Sequence, residues 1–582
     1  MKNKSKVFTA SHHLCVKPDY ISTFAVEKNH SMKRTGNLIL TAFVLTISVL
    51  LSSCNDMKRK ADLIVYNARI YTVDSSFSVV SAIAVRDGKI LDLGTTDHIL
   101  SRYGATVQIN AKQQFVYPGF IDAHSHFYGL AYEQQYADLT SAKSFDEVID
   151  ILKAWRKNHP SDWLLGRGWD QNKWSGQKFP DNTLLDKTFP GVPVVLTRID
   201  GHAVLASSEA IEKATLKNIP AGEALFNGER FTGIFLEGTA DKIKNSVPPL
   251  AETETEKLLI EASQKCFEAG LTSVTDAGLD LKDIIRLEKL QQQQKLNLRL
   301  NVMLNPTEEN FKAFVEKGIH KTSWITVRSV KLYADGALGS RGACLKQPYS
   351  DDPSNKGLLV ITPEFMQKVC EIAYKSGYQV STHAIGDSAV GFVLRSYARV
   401  LQGINDRRWR IEHSQVVDPY DIELFGKYNI IPSVQGTHAT SDMAWAKLRL
   451  GKRVANAYAY KRLLQQNGWL PNGTDFPIES IEPLKTFYAS VVRKDAEGNP
   501  AEGFQLIDAL TREEALKSVT IWAAKAAFEE NEKGSLEKGK FGDLVILDKD
   551  IMHVPEKELL KTRVLYTILD GKVVYDASKH KE

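Results

Sequence analysis

The chain has 582 residues, of which 43% are hydrophobic and 25% charged, and its formal net charge is +4. That length exceeds one small core and that composition belongs to a folded protein, so one large domain and a smaller one are expected. The positive charge is dispersed along the sequence, without the basic stripe that a polyphosphate needs, which argues against nucleic acid as a partner.

In chain order, the first feature is Lys33-Arg34, followed by fourteen apolar or hydroxylic residues, Leu38 to Leu51, and then Ser52-Ser53-Cys54. A positive start, a short apolar run and small residues before a cut site describe a secretory signal, and this run is short for roughly 30 Å of hydrocarbon. Residues 1–53 are therefore expected to be an upstream segment and a lipoprotein signal peptide. Leu51-Ser-Ser-Cys54 resembles a bacterial lipobox, which implies lipid on Cys54 and a mature chain anchored to a membrane of the cell envelope. The alternative is an ordinary transmembrane anchor. Met32 stands directly before the positive pair, so Met1 and Met32 are both candidate starts. With Cys54 lipidated, Cys266, Cys344 and Cys370 are too few and too scattered for a disulfide framework.

Residues 54–117 read as short strands and turns: Leu63 to Ala68, Ile70 to Val73 and Ser81 to Ile90, punctuated by Asp87-Gly88. Residues 536–582 repeat the texture in Gly542 to Leu547 and Val564 to Val574. Two strand-rich ends suggest one small β-sandwich built from both ends of the mature chain.

Residues 118–535 alternate strands with helices, which implies parallel βα units. The expected strands are Phe120 to Ala123, Ser273 to Asp276, Leu298 to Met303, Val330 to Ala334, Gln379 to Thr382, Arg410 to Glu412, Ile430 to Val434 and Leu470 to Gly473. Between them, Pro363 to Lys375 places Phe365, Val369, Ile372 and Ala373 at helical spacing. Eight strands point to an α/β fold with a (β/α)8, TIM-like barrel. About 145 residues separate His126 from the second strand. A structureless loop of that length is improbable in a compact domain, so residues from about 130 to 265 are expected to form an inserted subdomain over the barrel mouth.

In such a barrel the working residues stand at the carboxyl ends of the strands. Those positions hold His124 and His126 on the first strand, Lys331 on the fourth, His383 on the fifth, His413 on the sixth and Asp475 after the eighth. His124 and His126, two apart on a strand, leave on the same face and can reach one divalent ion. Lys331 has a competing reading as the ion-pair partner of Asp335 or as a lysine snorkelling from the barrel, and Asp475 as a helix N-cap.

Several stretches carry a resemblance: Pro118-Gly-Phe-Ile-Asp-Ala-His-Ser-His126, Val330 to Arg341, Thr382-His-Ala-Ile-Gly-Asp387, Ile411-Glu-His-Ser-Gln415, Ser433 to Asp442 and Gly473-Thr-Asp-Phe-Pro477. Together they are similar to the amidohydrolase superfamily, in the family 3 branch that includes N-substituted formamide deformylases. The likeness extends from Ala61 to about Tyr575. It implies a site for one or two divalent ions, usually zinc, with His124, His126 and Asp475 on one ion and His383 and His413 on the other. It also implies that Lys331 is carboxylated to a bridging carbamate. Two cations about 3.5 to 4 Å apart repel unless a shared anion separates them, which is the physical reason for such a bridge.

The expected reaction is hydrolysis of a non-peptide C–N bond, an amide, N-formyl or N-acyl bond of a small molecule, with Asp475 as general base and then acid. Arg341, just beyond the fourth strand, is a candidate partner for an anionic or carbonyl group of the substrate. Trp169, Asp170, His202 and His438 match positions that the family keeps near its pocket. The alternatives are a metal-dependent deaminase, against which Lys331 argues, and a non-catalytic envelope binding lipoprotein.

Overall fold

Eight short segments, buried along almost their whole length, frame the molecule: β1 (Phe120–Ser125), β2 (Leu271–Leu279), β3 (Arg299–Leu304), β4 (Ile325–Tyr333), β5 (Gln379–Ala384), β6 (Arg410–His413), β7 (Ile431–Gln435) and β8 (Asn472–Gly473). Strands covered on both faces read as continuous apolar runs, and β1 and β3 are buried at every position. In this computed structural model, which describes residues 58–579 apart from 172–173, 200, 202 and 221–222, the eight strands pair in parallel and in chain order. The secretory signal, Cys54 with its expected lipid, and His202 lie outside the described residues. Among the described residues no helix is long and apolar enough to cross a membrane.

Backbone and side-chain bonds bring β8 against β1 and nearly close the ring. Asp475 N–H donates to the His124 carbonyl at 2.8 Å, and His126 N–H to the Phe476 carbonyl at 2.7 Å. The buried Asp122 carboxylate accepts from Thr474 N–H at 3.1 Å, from Thr474 Oγ1 at 2.7 Å and from His124 N–H at 3.0 Å. Gly473 makes this approach possible, because a Cβ there would meet His124 N at 2.5 Å.

The helices that cover the ring start and stop where local chemistry directs. Pro363–Ser376 begins at Thr362, whose side chain accepts from Phe365 N–H, and ends at Gly377 with φ +77°. Its buried face is Met366, Val369, Cys370 and Ala373. The helix expected over Pro363 to Lys375 is present, and of the four residues at helical spacing Val369 and Ala373 are buried while Phe365 is 39% exposed and Ile372 half-buried. A helix lays side chains over its N-terminal side, so an apolar pattern alone leaves the stripe uncertain by one position. Cys266, Cys344 and Cys370 are buried and free.

Two further sheets lie beside the barrel. One has the order Lys89–Gly94, Ala82–Arg86, Arg59–Tyr66, Tyr103–Asn110. The other joins both ends of the chain: Leu544–Leu547 runs antiparallel to Phe115–Pro118 on one side and to Val564–Leu569 on the other. Leu63, Val65, Ile83 and Val85 of the first sheet share a core with Ile70, Val116, Ile546 and Ile568 of the second.

Between β1 and β2 the chain builds a six-stranded sheet that includes Leu164–Trp169, Val194–Arg198 and Arg230–Leu236. It has its own cores, one around Trp169, Leu139, Val148 and Leu196, the other around Val195, Val204 and Phe235. The helix Glu252–Glu268 belongs instead to the barrel core, through Leu258, Leu259, Ala262 and Cys266.

Candidate active site

Five imidazoles and a carboxylate converge at the carboxyl ends of the barrel strands. Asp475 is the hub. One carboxylate oxygen, Oδ1, lies 3.3 Å from His126 Nε2 and 3.6 Å from His124 Nε2; the other, Oδ2, lies 3.6 Å from His438 Nε2 and 4.0 Å from His413 Nδ1. The His383 ring stacks edge-on to His413, with centroids 4.5 Å apart. Lys331 Nζ stands 3.3 Å from His124 Nε2. His124, His413 and Asp475 form a group whose ligand atoms lie close enough together to hold one metal ion.

Two of these residues reach the site through the left-handed region of backbone space, His413 at φ +72° and Asp475 at φ +64°. Such conformations cost about 1 kcal/mol or more for a residue with a side chain, and they concentrate at functional sites. The seam bond from Asp475 N–H to the His124 carbonyl holds the second of them in place.

Neighbours select the ring orientation of the histidines. His124 Nδ1–H donates to Glu412 Oε2 at 2.6 Å, and Arg410 Nε stands 2.7 Å from the other oxygen of that buried carboxylate. His413 Nδ1–H donates to Gln435 Oε1 at 2.8 Å. In both rings the bonded nitrogen carries the proton, so Nε2 keeps its lone pair. Burial, reinforced by the Lys331 ammonium, pushes His124 down to about 4 and His383 to about 3. Burial and the adjacent His383 hold His413 well below the ordinary imidazole value. All three are neutral at pH 7, the form that ligates a metal. Burial opposes charge on Asp475, but His126, His124 and His438 outweigh it and keep the carboxyl below its usual range. Burial also lowers Lys331 to about 8.

The donor set fits a cation. His383 Nε2 and Asp475 Oδ1 are both buried, and neither has a hydrogen-bond partner. An orphaned acceptor in a dry site is costly unless something positive meets it.

The cavity above this cluster has a volume of about 390 Å³. His126, Lys331, His383, His413, His438 and Asp475 form its floor. Of the remaining residues expected at the site, several stand elsewhere. Arg341 gives its guanidinium to Asp351, at 3.2 and 2.9 Å, and is absent from the cavity lining. Trp169 is a core residue of the inserted sheet, its Nε1–H donating to the Leu196 carbonyl at 2.8 Å. Asp170 pairs with Arg198 at 3.0 Å and is likewise not part of the lining. Lys331 faces His124, whereas Asp335 accepts from the backbone N–H groups of Cys344, Ile385 and Gly386.

Glu412, Gln435, Gln415 and Asp442 were not singled out from the sequence. The signal for the first was its place in the Ile411-Glu-His-Ser-Gln415 stretch, directly before a candidate ligand.

The model of the Amidohydrolase family, family 3, matches residues 108–575. The chain belongs to the amidohydrolase family. It is 31% identical to LONG AFTER FAR-RED 3 of Arabidopsis thaliana over 88% of this chain and 92% of that protein. It is 24% identical to the N-substituted formamide deformylase of Arthrobacter pascens over 89% of this chain and 99% of that enzyme. Among solved structures, a metal-dependent hydrolase of Pyrococcus horikoshii superposes with a TM-score of 0.73 at 28% identity, covering 85% of this chain and 99% of that one. Family membership makes this amidohydrolase a hydrolase, and its fold is shared with the solved Pyrococcus hydrolase.

Proposed function

We propose that this amidohydrolase is metal-dependent and hydrolyses an amide, N-formyl or N-acyl C–N bond of a small molecule. The observation that carries the reading is the Asp475 carboxylate, ionised and ringed by four histidines, with its Oδ1 and the buried Nε2 of His383 both lacking a hydrogen-bond partner. His124, His126 and Asp475 would hold one divalent ion, and His383 and His413 a second, with zinc the first candidate for imidazole and carboxylate ligands. Lys331 would bridge them if carbon dioxide converts its amine to a carbamate. The chemistry supplied by an ion held there is Lewis acidity, which acidifies water toward a pKa of about 7 and polarises a carbonyl.

The chain's own residues supply the rest. Asp475 takes a proton from the attacking water as that oxygen bonds to the carbonyl carbon, then returns it to nitrogen as the C–N bond breaks. The products are a carboxylic acid, formate for an N-formyl substrate, and an amine. His438 accepts at Nδ1 from Gln415 Nε2 at 3.2 Å, so its Nε2–H is presented toward Asp475 Oδ2 and orients that carboxylate.

The test is release of amine from N-formyl and N-acyl amines. Asp475→Asn lowers turnover by about 10³-fold or more while retaining at least one bound metal, measured by elemental analysis. Persisting turnover in that variant removes Asp475 from this role. Residues 33–54 support a lipid-anchored form in the bacterial envelope; release of Cys54→Ala from the membrane fraction checks it.

A further inference from the structure

The helix Gly436–Leu450 leaves β7 directly and carries His438, Asp442 and Trp445 at positions i, i+4 and i+7, which share one face. All three line the active-site cavity. From His438, which also borders Asp475, the lining continues through Ile478 and Glu479 of the loop after Asp475 and Leu338 of the loop after β4.

The polar groups of this wall are almost all acceptors. Tyr458 OH donates to Asp442 Oδ2 at 2.8 Å, and Gln415 Nε2 donates to the same oxygen at 3.2 Å. Both bonds fall on one oxygen of that carboxylate. Glu479 accepts at Oε1 from Ser441 Oγ at 2.6 Å. Gln415 is only 4% exposed and lines the cavity, yet its Oε1 has no partner. The amide cannot simply turn over, because its nitrogen is the group that meets Asp442. Among the described residues, Lys331 on the floor is the one basic side chain other than histidine in the lining. Arg341, in the loop after the fourth strand, is committed to Asp351 instead.

We propose that this wall is a recognition subsite for a cationic amine carried on the variable arm of the substrate. An ammonium or quaternary ammonium finds the carboxylates of Asp442 and Glu479 and the free Gln415 oxygen, beside a Trp445 ring that already has the Arg449 guanidinium 5.8 Å from its centroid. Leu338 and Ile478 take the apolar stem of the same arm. A carboxylate on that arm would meet two like charges with no basic partner, so acidic N-acyl compounds are rejected. The inference rests on the reading of this cavity as the C–N hydrolase site.

The experiment uses the full chain loaded with zinc and three N-benzylformamides that differ only in the para group: trimethylammonium, methyl or carboxylate. The expected order of kcat/KM is cation above neutral above anion, with at least about tenfold between the extremes. That ratio shrinks in Glu479→Gln and in Asp442→Asn, and because it is taken within each variant, a general loss of activity or folding cancels. A carboxylate cleaved as well as the cation, or a ratio unmoved in both variants, overturns the subsite. Calorimetric binding of benzyltrimethylammonium and benzoate separates the two readings. If nothing is cleaved but the ammonium binds and benzoate does not, the hydrolytic reading falls and the subsite stands. Cleavage without charge preference, together with equal binding of the two ions, removes the subsite and leaves the hydrolytic reading standing.

Discussion

Glu412 shows how one buried charge organises the ligand cluster. It lies between Arg410 at 2.7 Å and His124 at 2.6 Å, and although burial opposes its ionisation, these two cations or potential cations hold its pKa below the usual carboxylate range. A carboxylate on the far nitrogen of a metal ligand fixes the tautomer and strengthens the donor. Glu412→Ala is therefore expected to weaken metal binding by about 10 to 100-fold in a chelator competition, with Glu412→Gln recovering part of that loss because its oxygen still accepts from Nδ1–H. A variant that loses stability but keeps its metal affinity would make Glu412 a packing residue only. The candidate ligands could be picked out in the sequence because they sit at strand ends, but Glu412 could not. Alternation sends residues 410 and 412 into the barrel and 413 outward, so the pattern cannot place both 412 and 413 at one site. The positive φ of His413 turns it back toward the cluster, and no periodicity encodes that turn.

At the level of elements, the seam between β8 and β1 is where the histidine and carboxylate cluster and the closure of the barrel coincide. Gly473→Ala drives a Cβ to within 2.5 Å of His124 N and 2.7 Å of Asp122 Oδ1. Backbone must then move, and the expected cost is about 2 kcal/mol or more in thermal or denaturant unfolding, with bound metal lost in parallel. Retention of metal with unchanged stability would show that the seam is not shared in this way. All eight barrel strands were legible from the alternation of short strands with helices, although β6 (Arg-Ile-Glu-His) and β8 (Asn-Gly) are not apolar runs. Arg341 and Trp169 were misplaced for the opposite reason, since nothing local to 341 announces Asp351 as its partner, and the Trp169 ring is claimed by an inserted core formed from distant strands. The cavity wall of His438, Asp442 and Trp445 lies at helical spacing in the sequence. Its facing could be known only once β7 fixed where the helix begins.

Across the whole molecule, charged groups also tie the two ends of the chain. Asp92, 2% exposed, accepts from Tyr103 OH at 3.0 Å and pairs with His98 at 3.1 Å and with Lys538 at 2.7 Å. Burial would raise its pKa, but Lys538, His98 and Tyr103 bring it down from 3.8 to about 2. A carboxyl more acidic in the folded state contributes stability that is complete above its unfolded pKa and is lost as pH falls through the folded one. Asp92→Asn is expected to be less stable than the parent by about 1 kcal/mol at pH 7, a modest figure because Lys538 is 65% exposed to solvent. The two unfolding curves should converge between about pH 4 and pH 2. A constant offset across that window would assign the effect to packing.

The pairing of Leu544–Leu547 with Phe115–Pro118 unites strands roughly 400 residues apart. Ribosomal synthesis delivers Phe115–Pro118 long before its neighbour emerges, and that strand then waits with bare amide groups along one side. An unmatched strand edge invites association with other nascent chains. Premature termination before residue 544 would make that wait permanent, so truncated translation products of this gene are expected to precipitate rather than persist as partial enzymes.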